Sequence, residues 1–229
     1  MSTARAEALS RMLRGARARV NAATKAAGRS DTVQILVVSK TYPASDVRIL
    51  AGLGCTDFGE NKAQEAASKA EELSDLDIRW HMIGQIQRNK AKSISTWANV
   101  VESVDRASII PLLAAGNSPT EVLIQVSLDD PTIQGRGGAD PAQAVELAHM
   151  VAETEHLTIM GVMGVAPYPG DPVRAFARLR DVSQRIQEEY PHARMISAGM
   201  SQDLEQAIAS GATQVRLGSA ILGNRTYVQ

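Results

Sequence analysis

Residues 34–40 read Gln34-Ile35-Leu36-Val37-Val38-Ser39-Lys40, a short apolar and β-branched run that ends in two polar residues. Such a run, bounded by polar turns, is typical of a buried β-strand. Seven further runs of this kind follow it along the chain. The eight predicted strands are residues 34–40, 56–60, 79–84, 100–105, 121–127, 158–165, 194–200 and 214–217.

Between these runs, apolar residues recur with helical spacing at residues 44–52, 62–73, 88–97, 106–115, 140–155, 171–190 and 201–210. Regular alternation of strands and helices implies parallel strands joined by right-handed crossovers. Eight such units predict an α/β fold, a single (β/α)8 TIM-type barrel, whereas fewer true strands would give an open doubly wound sheet. Asp140 and Asp171 each precede a proline, which predicts a helix N-cap at both positions.

The chain has 229 residues, which suits one such barrel because the fold needs roughly 200 residues or more. We therefore expect one domain over residues 1–229. Residues 1–28 form a predicted extra helix, since its apolar residues recur at spacings of three and four. These residues are Leu9, Leu13, Ala16 and Val20. They are expected to pack on the barrel, with arginines on the opposite side of the helix.

The chain has 24 basic and 25 acidic side chains, which nearly balance and give a net charge of −1. This balance gives no electrostatic reason to expect a nucleic acid or an anionic membrane as partner. The single cysteine excludes a disulfide framework, and no histidine pair has metal-ligand spacing, so no metal site is expected. The chain lacks a signal-peptide core and the ~20-residue apolar run of a membrane span, so we expect a cytoplasmic protein.

Lys40 ends the first predicted strand and would stand at the carboxyl mouth of the barrel, where functional groups gather. A partly desolvated lysine there can lose its proton and attack a carbonyl carbon, although a strand-end lysine can equally point into water. Arg216 points into the barrel if Val215 and Leu217 face the outer helices. A buried arginine needs a polar or anionic partner, which is either a ligand or a structural ion pair.

Barrels of this type commonly bind phosphate groups at the loops after the seventh and eighth strands. The seventh strand has the small residues Ala198 and Gly199 near its end, shortly before Ser201. Ser201 is predicted to cap the next helix and to meet an anion. The eighth is followed by Gly218 and Ser219, which offer free backbone N–H groups. Together the two loops predict a phosphorylated ligand.

Two polar residues near the second and third predicted strands allow two interpretations each. Asn61 either bonds a ligand or caps the helix that follows it. His81 either faces the barrel interior as a functional group or is a core histidine with satisfied hydrogen bonds.

From its N-terminal helix to Arg225, the chain resembles the pyridoxal 5′-phosphate (PLP) homeostasis protein family. The resemblance rests on six motifs in the same order. These are Val37-Val38-Ser39-Lys40-Thr41, Phe58-Gly59-Glu60-Asn61, His81-Met82-Ile83-Gly84 with Gln87-Arg88-Asn89-Lys90, Gly161-Val162-Met163, Gly199-Met200-Ser201-Gln202-Asp203 and Arg216-Leu217-Gly218-Ser219-Ala220-Ile221.

The resemblance implies a barrel like the N-terminal domain of alanine racemase, with PLP as its cofactor. Lys40 matches the lysine that forms a Schiff base with PLP, and Arg216 matches the arginine beside the pyridine nitrogen. The other implied cofactor contacts are Ser201, Gly218 and Ser219 at the phosphate, and Asn61 and Met163 beside the cofactor.

Three positions depart from the family pattern. Tyr42 and Leu222 stand where the family often has a basic and an aromatic residue, respectively. The loop after the fifth strand reads Arg136-Gly137-Gly138, where Lys-x-Gly is frequent. An arginine forms no Schiff base, so a second PLP contact at Arg136 would be ionic only.

The resemblance further implies a protein that holds PLP for homeostasis and carriage without substantial turnover, and the lack of room for a second domain favours a monomer. Apo-forms of PLP-dependent enzymes would be its acceptors. Two features support this expectation. Cationic Arg216 opposes protonation of the cofactor ring, which weakens the ring as an electron sink, although racemases work with such an arginine. A chain of one barrel's length also leaves no residues for the second racemase domain, which supplies the opposite base.

Two enzymatic alternatives remain open from sequence. An amino-acid racemase-like enzyme would need His81 or Tyr42 as its second base. A Schiff-base aldolase acting on a phosphorylated sugar would share the barrel, the lysine and the phosphate loops, but it would use no PLP.

Overall fold

A computed structural model of the chain describes residues 3–116, 118–129 and 137–223. Its strands are β1 Gln34–Val38, β2 Asp57–Glu60, β3 Arg79–Met82, β4 Val100–Val104, β5 Thr120–Val126, β6 Leu157–Gly164, β7 Met195–Ser197 and β8 Gln214–Leu217. All eight are parallel and pair in sequence order, and β8 pairs with β1, so the sheet closes. The predicted (β/α)8 TIM-type barrel is confirmed, and an open sheet is excluded.

Helices alternate with the strands in the described part of the chain. They are α1 Thr3–Ala26, α2 Ala44–Gly52, α3 Ala63–Glu72, α4 Ala91–Ile94, α5 Ile110–Ala114, α6 Ala144–Ala152, α7 Pro172–Glu189, α8 Leu204–Ala209 and α9 Ser219–Leu222. Each predicted helix is present, although most are shorter than predicted. Turns of 3-10 helix, Arg88–Lys90 and Ala107–Ile109, precede α4 and α5.

The two faces of a strand pack against different partners, as β4 illustrates. Val101 belongs to the large apolar cluster that joins the sheet to the helices, and Val104 reaches the same cluster because the strand register shifts between the two residues. Val100 packs instead with Leu123 and Met163, both from other strands, in a small cluster inside the barrel. Because side chains alternate along a strand, Glu102 shares the interior face with Val100.

The N-terminal helix α1 lies against the outside of the barrel, as its apolar spacing predicts. The four residues of the predicted apolar face are all buried. They share a cluster with Val47, Leu50, Leu204, Ile208, Ile221 and Leu222 from α2, α8 and α9. Arg19 binds both carboxylate oxygens of Glu205 at 2.7 Å and donates to the carbonyl of Ser201 at 2.8 Å. The helix is therefore fixed to the loop that precedes α8.

The two Asp-Pro pairs differ in what they cap. Asp171 accepts hydrogen bonds from the backbone N–H groups of Val173 and Arg174, so the N-cap predicted there is confirmed. The N-cap predicted at Asp140 is wrong, because α6 begins only at Ala144. Residue 139 still bridges to strand β5, so the chain makes a further turn before the helix starts.

The N-cap predicted at Ser201 is also wrong. Helix α8 begins at Leu204, and its N-cap residue is Asp203. The Asp203 carboxylate instead accepts the N–H of Met200 at 2.6 Å, which closes a turn before the helix. Ser201 lies inside this turn, two residues ahead of the N-cap position.

Most of the unpatterned segment at residues 129–138, including Arg136, lies outside the described residues, as does Arg225. Among the residues that are described, no helix has the length and apolar character needed to cross a membrane.

Candidate functional site

A cavity of about 520 Å³ opens at the carboxyl ends of the strands. Its size suits a small organic cofactor. The lining residues are Val38, Lys40, Ile83, Ala166, Pro167, Tyr168, Gly170, Pro172, Met200, Ser201, Gln202, Asp203, Arg216, Gly218 and Ser219. Five of the seven predicted cofactor contacts are thus brought together, namely Lys40, Ser201, Arg216, Gly218 and Ser219.

Lys40 stands at the mouth of this cavity because of how β1 ends. The N–H of Ser39 still bonds the carbonyl of Gly59 on the neighbouring strand at 3.0 Å. Thr41 then adopts a left-handed φ of 68°, so the chain turns away directly after Lys40. The lysine is exposed and lines the cavity, where its amine is accessible to a ligand carbonyl.

Arg216 reaches into the barrel from β8, since Val215 and Leu217 pack outwards against the helices. One terminal nitrogen donates to the carbonyl and the hydroxyl of Ser197 at 2.7 and 2.9 Å, and the other donates to the carbonyl of Gly164 at 2.8 Å. Burial lowers its pKa, yet a guanidinium stays charged in proteins. Arg216 therefore both lines the cavity and has structural partners.

Beneath the arginine, the barrel interior contains a chain of buried polar groups. The carboxylate of Glu102 accepts from the hydroxyl of Ser197 at 2.6 Å and from the side-chain amide of Gln214 at 2.7 Å. His81 links this carboxylate to a second one. Its Nδ1 lies 2.7 Å from Glu102, and its Nε2 lies 3.0 Å from Asp57.

The charges in this network support one another. Burial acts to lower the pKa of His81, but its hydrogen bonds to Asp57 and Glu102 outweigh burial and the pKa is raised. Burial acts to raise the pKa of Glu102, but the hydrogen bond to His81 and the charges of His81 and Arg216 lower it. When His81 is protonated, negative and positive groups therefore alternate through the interior.

His81 faces the barrel interior and is also a histidine with satisfied hydrogen bonds, so both features weighed from sequence are present. Sequence reasoning missed Glu102, the centre of the network. A signal was available, because Glu102 places an acid within Val100–Val104, a strand that is otherwise mostly valine. An acid in that setting needs internal partners.

Both predicted phosphate loops contribute residues to the cavity lining. Gly218 follows β8, and a Cβ placed there would lie 3.3 Å from the carbonyl of Val38, so a side chain would be crowded. Ser219 begins α9, whose first N–H groups have no acceptor within the helix. Ser201 comes from the other loop, and Asp203 beside it adds a carboxylate to the lining.

Two of the seven predicted cofactor contacts, Asn61 and Met163, are not part of this cavity lining. Asn61 lines a neighbouring cavity with Lys62, Gln85 and Lys90. Helix α3 begins at Ala63 with Lys62 as its N-cap residue, so the alternative role of Asn61 as helix cap is wrong.

Met163 is buried in the interior cluster of the barrel and is absent from the described cavity lining. Sequence reasoning also missed the aromatic wall of the cavity, Tyr168, which is 87% exposed. Among the described residues, no group of three His, Cys, Asp or Glu side chains is arranged to hold a metal ion.

Comparisons with known proteins agree with this geometry. Residues 13–226 match the protein family described as alanine racemase, N-terminal domain. The pyridoxal phosphate homeostasis protein of Corynebacterium glutamicum is 42% identical over 221 residues, covering 91% of this chain and 98% of that protein. Its counterpart in Mycobacterium tuberculosis is 39% identical over 241 residues, covering 95% and 93%.

Among solved structures, PipY of Synechococcus elongatus with PLP bound superposes with a TM-score of 0.78 and 28% identity, covering 94% of this chain and 100% of PipY. The resemblance seen in the sequence motifs is confirmed. The chain belongs to the pyridoxal phosphate homeostasis protein family, whose members are built on the alanine racemase N-terminal domain.

Proposed function

We propose that this protein binds PLP as a Schiff base at Lys40 and serves intracellular PLP homeostasis and carriage without substantial turnover. The observation that carries the proposal is the meeting of Lys40, Arg216 and the two phosphate loops in one cavity. Its relatives, which are pyridoxal phosphate homeostasis proteins, and the PLP-bound form of PipY support the choice of ligand.

The residues present fit this cofactor. PLP supplies an aldehyde, with which a lysine amine condenses to a Schiff base with loss of water. Lys40 offers that amine, while Ser201, Ser219 and the N–H groups of the Gly218 loop offer donors for the phosphate. Arg216 offers a fixed cation to the ring nitrogen.

The proposal of a holding role follows from the fixed charge of Arg216. Its guanidinium is bound to Ser197 and Gly164, so it cannot move away from the cavity floor without leaving their oxygens unpaired. A cation there opposes protonation of the pyridine ring, and strong PLP catalysts usually secure that proton with an acidic partner.

The racemase-like alternative lacks the two second bases considered from sequence. Both ring nitrogens of His81 are bonded to carboxylates, and the hydroxyl of Tyr42 donates to the carbonyl of Gly223. Among the described residues, Tyr168 supplies the phenol of the cavity lining. Racemisation of alanine or serine by the purified protein, lost in Tyr168→Phe, would favour an enzyme over a carrier.

The test of the ligand site is reductive trapping. Protein treated with PLP is reduced with borohydride, and the modified lysine is identified by peptide mass mapping. We expect label on Lys40, none at that peptide in Lys40→Ala, and unchanged labelling in the matched control Lys62→Ala, which removes an exposed lysine of the next loop. Label on another lysine would overturn the assignment to Lys40. No visible absorbance gained with PLP would overturn PLP binding itself and favour the aldolase.

Carriage is tested separately. The PLP-loaded protein is mixed with the apo-form of a PLP-dependent enzyme in the presence of a scavenger that destroys free PLP. Reactivation of the enzyme despite the scavenger supports direct transfer. Reactivation that the scavenger abolishes restricts the role to storage.

A further inference from the structure

A buried ammonium lies directly behind Lys40 and takes no part in the proposed ligand site. Lys69 comes from α3, and only 8% of its side chain is exposed. Its Nζ lies 2.7 Å from a carboxylate oxygen of Glu60, a side chain with no exposure at all, and 2.8 Å from Glu65.

This ammonium holds the chain on both sides of Lys40. On one side, Nζ of Lys69 donates to the carbonyl of Ser39 at 2.9 Å. On the other side, the same oxygen of Glu65 that binds Lys69 accepts the N–H of Thr41 at 2.6 Å. The left-handed φ of 68° at Thr41, uncommon outside glycine, is thereby held in place.

Stability of the fold is a weak reason for such a pair. Desolvating two charges costs about as much as their attraction returns, and apolar replacements of both partners are often equally stable. The pair is also imperfect, since the second carboxylate oxygen of Glu60 has no hydrogen-bond partner among the described residues. What the pair does provide is a fixed geometry for residues 39–41.

We propose that Lys69 is a positioning residue, which orders the backbone around Lys40 so that the Lys40 amine is directed into the cavity before a ligand arrives. The inference rests on the proposed function of Lys40. It assigns a role to Glu60 and Glu65 as well, because both hold the ammonium and Glu65 carries its effect to Thr41.

The test is a double variant, Lys69→Met with Glu60→Gln, which leaves no unpaired buried charge. The carbonyl of Ser39 keeps a donor, since it also accepts the N–H of Tyr42 at 3.0 Å. We expect PLP affinity to fall roughly threefold to tenfold, because the lysine then has to be ordered on binding. Affinity is measured by absorbance titration, beside the control Arg48→Met with Asp75→Asn, which removes an exposed ion pair.

The same substitutions in a Lys40→Ala background separate positioning from general damage. Residual non-covalent PLP binding, measured by equilibrium dialysis, should not change when Lys69 acts only through Lys40. An equal loss of PLP affinity in the presence and absence of Lys40, or no loss of affinity in either background, would overturn the inference. If the double variant does not fold, Glu65→Ala at the partly exposed end of the network decides by the same comparison.

The proposed function and this inference fail in different ways. If reductive trapping of the unmodified protein misses Lys40, the function itself falls. If trapping labels Lys40 but the variants bind PLP as tightly as the unmodified protein, only the role of Lys69 falls.

Discussion

The imidazole of His81 lies 2.7 Å from the carboxylate of Glu102, and neither side chain has any exposure. The contact joins β3 to β4 inside the barrel, directly beneath the arginine that lines the ligand cavity. The strength of this contact depends on the protonation of both groups, so its contribution to stability can be measured as a function of pH.

The first prediction concerns the stability of the fold. The pKa of His81 is raised above its ordinary 6.5, so the stability it contributes is fully present below pH 6.5 and is lost as pH rises through the raised value. The pKa of Glu102 is lowered below 4.5, so its contribution is present above pH 4.5 and is lost as pH falls through the lowered value.

We therefore expect the difference in unfolding free energy between the native protein and His81→Gln to be largest between pH 4.5 and 6.5 and to shrink in alkaline buffer. Urea unfolding at a series of pH values measures it. His192→Gln, at an exposed histidine, serves as control. A difference that stays constant with pH would show that the imidazole does not change its protonation state over this range and would contradict the prediction.

The second prediction tests the phosphate loops. Ser201→Ala should weaken PLP binding by roughly 1 kcal/mol or more, because a hydroxyl donor to the phosphate is lost. Ser74→Ala, which alters an exposed serine ahead of β3 at the opposite end of the barrel, should leave binding unchanged. Equal affinity in both variants would remove Ser201 from the proposed cradle.

The third prediction compares the two Asp-Pro pairs. Asp171→Ala removes the acceptor for two N–H groups of α7 and should lower the unfolding free energy by about 1 kcal/mol. Asp140→Ala should cost less, since the Asp140 carboxylate accepts one N–H group, that of Ala142, in a turn that precedes α6. Urea unfolding of both variants decides, and equal losses would mean that the α6 segment starts earlier than observed.

The fourth prediction concerns Gly161 in β6. A Cβ there would lie 1.9 Å from the carbonyl oxygen of Met195, and φ is 147°, so Gly161→Ala should destabilise the fold by about 3 kcal/mol. Gly15→Ala adds a methyl group in open space within α1 and should stabilise by about 0.5–1 kcal/mol. Opposite shifts in thermal midpoint are expected, and a stable Gly161→Ala protein would contradict the packing described.

The barrel was predictable because strand and helix patterns differ in period and alternate regularly along the chain. Lys40 and Arg216 were predictable for a related reason, since a strand end and strand alternation fix where a side chain points. The starts of the helices that follow Asp140 and Ser201 were not predictable in this way. Each depends on a local turn that competes with the helix for the same backbone groups.

The rest of the site depends on contacts that cross the barrel. Glu102 meets His81 and Ser197 across three different strands, and no local pattern records such a meeting. Asn61 illustrates the opposite case. It stands beside a strand end like Lys40, yet the close approach of its loop to Gly84 places it in the adjacent cavity.

The hydrogen bond from Arg19 to the carbonyl of Ser201 has a practical meaning for work on this protein. A tag, fusion partner or truncation that displaces the first helix also displaces the main chain at one of the proposed phosphate contacts. Ligand affinities measured on proteins with altered amino termini therefore report on that alteration as well as on the cavity.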